Sequence, residues 1–116
     1  MRFAGYAAVF DAVDRGGDVI RKGAFGPPRR VPLLWQHRGP PIGLAEVAED
    51  ACGLRVMGHV DVPVAEGDGL SVGYRVVASR QGAWRALTAV DLIEVSLVAQ
   101  PMQRLARVTQ VFNAGE

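Results

Sequence analysis

The sequence predicts a mainly β fold: a small closed or nearly closed antiparallel β-barrel of six to eight strands with little helix. Three observations carry this expectation. Valine occurs 17 times against nine leucines and three isoleucines, and β-branched side chains favour strands. Fourteen glycines and seven prolines punctuate a chain of 116 residues, too many breakers for a helix bundle. Wherever a pattern is legible, it alternates with a period of two. Many short strands leave many edges, and closing the sheet removes them.

The elements follow in order. Residues 2–10 read as a first strand with Phe3 and Tyr6 as its large side chains, residues 11–17 as a turn cluster, and residues 18–21 as a short second strand. Pro27 and Pro28 end the segment 22–25. A strand over 31–37 runs into Gly39-Pro40-Pro41, which is expected to force a turn. Residues 42–49 and 54–62 pair as a hairpin, with Leu54, Val56, Gly58 and Val60 on one face and Arg55, Met57, His59 and Asp61 on the other. Residues 70–78 give another strand, and residues 83–99 are long enough for two arms or one bent strand. A short helical turn over 102–107 and a frayed tail complete a single domain, 1–112, with 113–116 as tail. Neither a repeat nor a low-complexity segment interrupts it.

Composition excludes several classes. Thirteen basic and 12 acidic residues leave a net charge of +1, with signs alternating along the chain, so no basic stripe marks a nucleic-acid partner. Arg29-Arg30 is the nearest approach to a cluster and reads as a solvated loop. The single cysteine, Cys52, rules out an internal disulfide and a multi-cysteine zinc site. No apolar run approaches the ~18 residues that span a bilayer, and residues 1–10 lack a signal pattern. The expectation is a cytoplasmic protein with no membrane and no nucleic-acid partner.

Few residues can carry chemistry. There are two histidines, His37 and His59, and three serines, Ser71, Ser79 and Ser96. Two lone histidines on different strands offer no metal-ligand spacing, and no glycine cluster opens a helix that would cradle phosphate, so no cofactor or metal is expected. Ser71 lies in Gly69-Leu70-Ser71-Val72-Gly73, a G-x-S-x-G match. The strand–turn–helix context of the hydrolase nucleophile elbow is missing, because residues 74–77 continue as strand and both histidines precede the serine. On spacing alone a strand serine between two bulge glycines is the plainer reading. The glycines would nonetheless let an extended backbone approach the hydroxyl.

A serine nucleophile needs a base. His37 ends the apolar stretch 33–36, on the same face as Trp35 by alternation, whereas His59 sits mid-strand on an exposed face. A half-exposed polar strand terminus is the alternative for His37. Glu94 is flanked by Ile93, Val95 and Leu97; a carboxylate so enclosed requires a partner, either an arginine or an imidazolium. Asp91 is its rival, with easier access to solvent.

Five ordered segments, residues 5–25 (GYAAVFDAVDRGGDVIRKGAF), 33–37 (LLWQH), 41–60 (PIGLAEVAEDACGLRVMGHV), 67–76 (GDGLSVGYRV) and 87–102 (LTAVDLIEVSLVAQPM), cover most of the chain. Together they resemble the prohead (procapsid) maturation serine proteases of tailed phages and of gene transfer agents. The resemblance implies a β-barrel like that of herpesvirus assemblins, with His37 as base, Ser71 as nucleophile and Glu94 as third member. Assemblin-type sites use a second histidine in that third place, and His59 is poorly placed for it. The resemblance further implies a serine endopeptidase acting inside the assembling procapsid. Its substrates would be the scaffold part of the major capsid protein and the protease itself. Oligomeric state stays open. One departure is that relatives carry a longer helical segment between the strand of His59 and the GDGLSVGY motif. Here only residues 62–67 fill that interval, which leaves in doubt any substrate cleft or dimer interface the segment shapes. The competing reading is a catalytically inactive β-barrel, a scaffold or structural protein of phage assembly.

Overall fold

Period-two alternation and frequent breakers yield eight strands in the computed structural model, which describes residues 1–112. They are β1 (Arg2–Val9), β2 (Asp18–Ile20), β3 (Arg29–Trp35), β4 (Arg38–Glu49), β5 (Gly53–Val60), β6 (Gly69–Gln81), β7 (Arg85–Val98) and β8 (Val108–Phe112). Among the described residues there is no helix, and therefore none long and apolar enough to cross a membrane. The expected helical turn over 102–107 is a non-helical loop that leads into β8, a strand not foreseen in the sequence. The expected tail, 113–116, lies outside the described residues.

β7 organises the sheet. One edge pairs antiparallel with β6 along its whole length. The other edge takes β2 at residues 85–87 and β3 at residues 95–97, both parallel. From β3 the order runs through β4, β5 and β1 to β8, all antiparallel. The sheet is therefore mixed, which corrects the expectation of an antiparallel barrel.

It is also not closed. Backbone bonds stitch the start of β6 to the segment before β8: Val108 N–H to Asp68 O at 2.8 Å and Leu70 N–H to Ala106 O at 2.9 Å. Beyond that stitch β6 and β1 part. There Gln103 caps one residue of β1: its buried side-chain amide accepts from Val9 N–H at 2.6 Å and donates to Val9 O at 2.9 Å. A side chain thus satisfies the edge of β1 where a neighbouring strand would otherwise be needed.

The core lies on one face, where Phe3, Leu33, Leu54, Val56, Leu70, Leu87, Leu92 and Val95 are each almost wholly enclosed. β5 alternates as its sequence dictates, Leu54, Val56 and Val60 inward, Arg55 and His59 outward. In β7 the buried positions Leu87, Val90, Leu92, Val95 and Leu97 do not keep one phase. Register shifts against β6 explain this: between the pairs Gly73–Glu94 and Tyr74–Leu92, Ile93 is an extra residue, and it is exposed. Such a bulge reverses the inside–outside alternation. Leu92 therefore faces the core while Glu94, two residues later, faces away from it.

Candidate active site

The turn between β3 and β4 sits nearer the N-terminus than the prolines suggested. Trp35 pairs with Arg38, so Gln36 and His37 form a two-residue hairpin loop. Their φ angles are +54° and +61°, the signature of a type I′ turn, which favours Asn and Gly. Gly39, Pro40 and Pro41 instead belong to β4, in the irregular stretch where four residues face Leu34 and missing amide donors are tolerated. His37 is consequently a turn residue, and strand alternation with Trp35 does not orient it.

A side chain other than glycine in the left-handed region costs about 1–3 kcal/mol and persists only where the surroundings enforce it. Here the end of β7 does so. Gln36 N–H donates to Leu97 O at 2.9 Å, Ala99 N–H donates to Gln36 Oε1 at 2.6 Å, and His37 N–H donates to Ser96 Oγ at 3.1 Å. The fourth tie is the imidazole itself, with Nδ1 at 2.6 Å from Glu94 Oε1.

Glu94 is 6% exposed, and its partners are the imidazole and a hydroxyl rather than an arginine: Ser96 Oγ donates to Oε2 at 2.6 Å. Gly73 stands opposite Glu94 in the register. A Cβ at Gly73 would lie 1.9 Å from Glu94 Oε1, so the carboxylate occupies the space that the missing side chain leaves. That corrects the expected purpose of this glycine, which makes room for the acid rather than for an incoming backbone. Asp91 goes elsewhere, to Arg75 at 3.4 Å and Arg29 at 3.8 Å on the surface. His59 faces Glu46 at 3.9 Å on β5, away from this cluster.

Ser71 pairs directly with Ser96 across β6 and β7 and is 3% exposed. It borders a cavity of about 400 Å³ together with Gln36, His37, Val98 and Met102. Among the described residues its hydroxyl makes no hydrogen bond, to His37 or to any other group. Catalytic hydrogen bonds are often long in a free enzyme and tighten when substrate arrives. A second groove, about 430 Å³ between Arg29, Arg30, Glu46 and Arg55, contains no nucleophile. Tyr74, next along β6, is held as a neutral phenol: burial first, then the charges of Asp14 and Asp18, push its pKa up. No group of three or more potential metal ligands occurs among the described residues.

The structure therefore places His37 and Ser71 on one cavity, with Glu94 against the ring of His37, and leaves Asp91 and His59 apart from them. Two contributors went unassigned in the sequence. Ser96 carried a usable signal, since it stands two residues after a buried acid in a strand. The acid's dependence on Gly73 carried none, because it arises from the pairing of two distant strands.

This arrangement has an imidazole between a buried carboxylate and a cavity that a glycine-flanked serine borders. A search among curated proteins finds no match. The family model described as the caudovirus prohead serine protease matches residues 1–116, the whole sequence, and the chain belongs to that family.

Proposed function

We propose that this chain is a serine endopeptidase of capsid maturation in which Ser71 is the nucleophile, His37 the general base and Glu94 the orienting acid. The observation that carries the reading is the 2.6 Å contact between His37 Nδ1 and a carboxylate that is almost inaccessible to water. An arginine partner would have made Glu94 merely structural. An imidazole partner gives the carboxylate the two tasks a triad requires, holding the ring and stabilising the imidazolium that forms.

This reading implies the following steps. Nε2 of His37 removes the Ser71 proton as Oγ bonds to the scissile carbonyl carbon, and the carbonyl π electrons move onto oxygen. Collapse of the tetrahedral intermediate breaks the C–N bond, and the imidazolium returns its proton to the leaving amine. Water then attacks the acyl-enzyme with His37 again as base, regenerating Ser71. No cofactor enters. Membership of the family makes the scaffold part of the major capsid protein the proposed substrate, along with self-processing, inside the procapsid of a phage or gene transfer agent. The likeness to assemblins is retained for the use of a β-scaffold with a strand serine and a histidine base.

The experiment has two arms. A fluorophosphonate should label Ser71 in the wild type and not in Ser71→Ala, and co-expressed major capsid protein should shorten only with the wild type. Because the hydroxyl makes no hydrogen bond, Ser71→Ala should melt within about 0.5 kcal/mol of the wild type. A folded wild type that neither labels nor cleaves leaves the competing structural reading in place.

A further inference from the structure

We infer that Ser96 is a positioning residue of this site. Its hydroxyl anchors the turn amide and the carboxylate that together hold His37 with the Nε2 lone pair free for Ser71. The inference rests on the protease reading above and extends it by one residue.

The backbone N–H of His37 can only donate, and it points at Ser96 Oγ at 3.1 Å. That oxygen therefore accepts there, and its single proton must go elsewhere. The acceptor within reach is Glu94 Oε2, at 2.6 Å. Oε2 is thereby fixed as an acceptor, and the other carboxylate oxygen meets His37 Nδ1 at 2.6 Å. A carboxylate accepts at both oxygens, so Nδ1 is the donor in that contact. The ring is left as the tautomer whose Nε2 accepts.

Ser96 acts on the backbone as well as the side chains. Its hydroxyl holds the amide of a residue whose φ is +61°, so one oxygen secures both the strained turn and the carboxylate that reads the ring. Ser96 is wholly buried, so its hydroxyl partners only protein groups. Losing it would leave the His37 amide and Glu94 Oε2 each without that partner, and both would relax toward other contacts. A residue that only filled space would show none of this dependence on the hydroxyl.

The test compares wild type with Ser96→Ala, Ser96→Cys and Ser96→Thr, using a fluorophosphonate as the probe. It reads the second-order rate of Ser71 labelling and, separately, the downfield proton NMR signal of the His37 Nδ1–H. Ser96→Ala and Ser96→Cys should label about 10- to 100-fold more slowly, the range expected when reacting groups are displaced by about an ångström. Their Nδ1–H signal should exchange away. Ser96→Thr, which keeps the hydroxyl, should stay within a few-fold of wild type and retain the signal. A Ser96→Ala protein that labels as fast as wild type overturns the inference, and so does a loss shared equally by Ala and Thr. If Ser96→Ala does not fold, Ser96→Cys carries the comparison, because it keeps the volume and loses the strong donor; fast labelling in that variant is equally fatal. A wild type that takes no label overturns the protease reading itself, a result distinct from a labelled wild type that is indifferent to Ser96.

Discussion

Two hairpin turns of the same sheet are built on opposite terms. The β4–β5 turn is closed mainly from within: Asp50 Oδ1 accepts from Cys52 N–H at 2.7 Å and Gly53 N–H at 3.1 Å, and the Tyr6 hydroxyl of β1 adds a tie from outside at Oδ2. Its residues, Asp, Ala, Cys and Gly, suit a turn without assistance. The β3–β4 turn places Gln and His where Asn and Gly belong and is held from outside, by four contacts from β7 and the residue after it. A turn that obeys local preference connects strands. A turn held against local preference by distant residues presents a side chain, here an imidazole, in a fixed place.

Variants can break this contrast, and the largest effect is expected at the acid. Glu94→Gln keeps the shape but cannot stabilise an imidazolium. Loss of an orienting carboxylate has cost up to ~10⁴ in a well-studied triad, so a fall of roughly two to four powers of ten in turnover is expected. The measurement is the single-turnover rate on a capsid-protein substrate, and a rate within threefold of wild type removes Glu94 from the reaction. Gly73→Ala should come next. A methyl group 1.9 Å from Oε1 cannot coexist with the observed carboxylate position, so labelling of Ser71 should slow about 10- to 100-fold while strand content by circular dichroism holds. The variant should behave as a milder Glu94→Gln, and if it labels normally the carboxylate is not fixed where the structure has it.

The β4–β5 turn supplies the smallest effect and the sharpest contrast. Asp50→Ala should cost about 1 kcal/mol of stability and leave the labelling rate unchanged. Its pH dependence has a definite sign. The Tyr6 hydroxyl first, then the Cys52 and Gly53 amides, lower the folded-state pKa of Asp50 against the opposing effect of burial. A depressed carboxylate contributes stability that is complete above its unfolded pKa and disappears as pH falls through the folded one. Wild type should therefore lose stability on acidification in the carboxylate range more steeply than Asp50→Asn. Matching melting curves across that range would show that the Tyr6–Asp50 bond does not stabilise the fold.

What could be read in advance follows the same division. β5 was legible because one half-buried strand writes its environment directly into Leu54, Val56, Gly58 and Val60. His37, Ser71 and Glu94 could each be named, by scarcity, flanking glycines and apolar surroundings respectively. Their meeting was implied by the family resemblance and not by pattern or spacing, because it depends on two departures from regularity. One is the Ile93 bulge, which breaks the period-two rule between Leu92 and Glu94. The other is the positive-φ turn, displaced from Gly39-Pro40-Pro41, where breaker residues pointed. β8 escaped notice because five residues near the end of the described chain carry little periodicity, and their partner, β1, lies about a hundred residues away in sequence. The open edge was not legible either: the amide of Gln103, far along the chain, takes the hydrogen bonds of Val9.

That amide has a consequence for how the molecule lives beside copies of itself. An open sheet offers its unpaired backbone to any extended segment that drifts past, and intermolecular strand pairing is the ordinary route to aggregation. At Val9 the offer is withdrawn, since both backbone groups already hold a partner that belongs to the same chain. The substitute extends no further than a single amide, so it cannot propagate pairing to the next molecule. The sheet thus stays open beside β1 and is still closed to a neighbour at Val9.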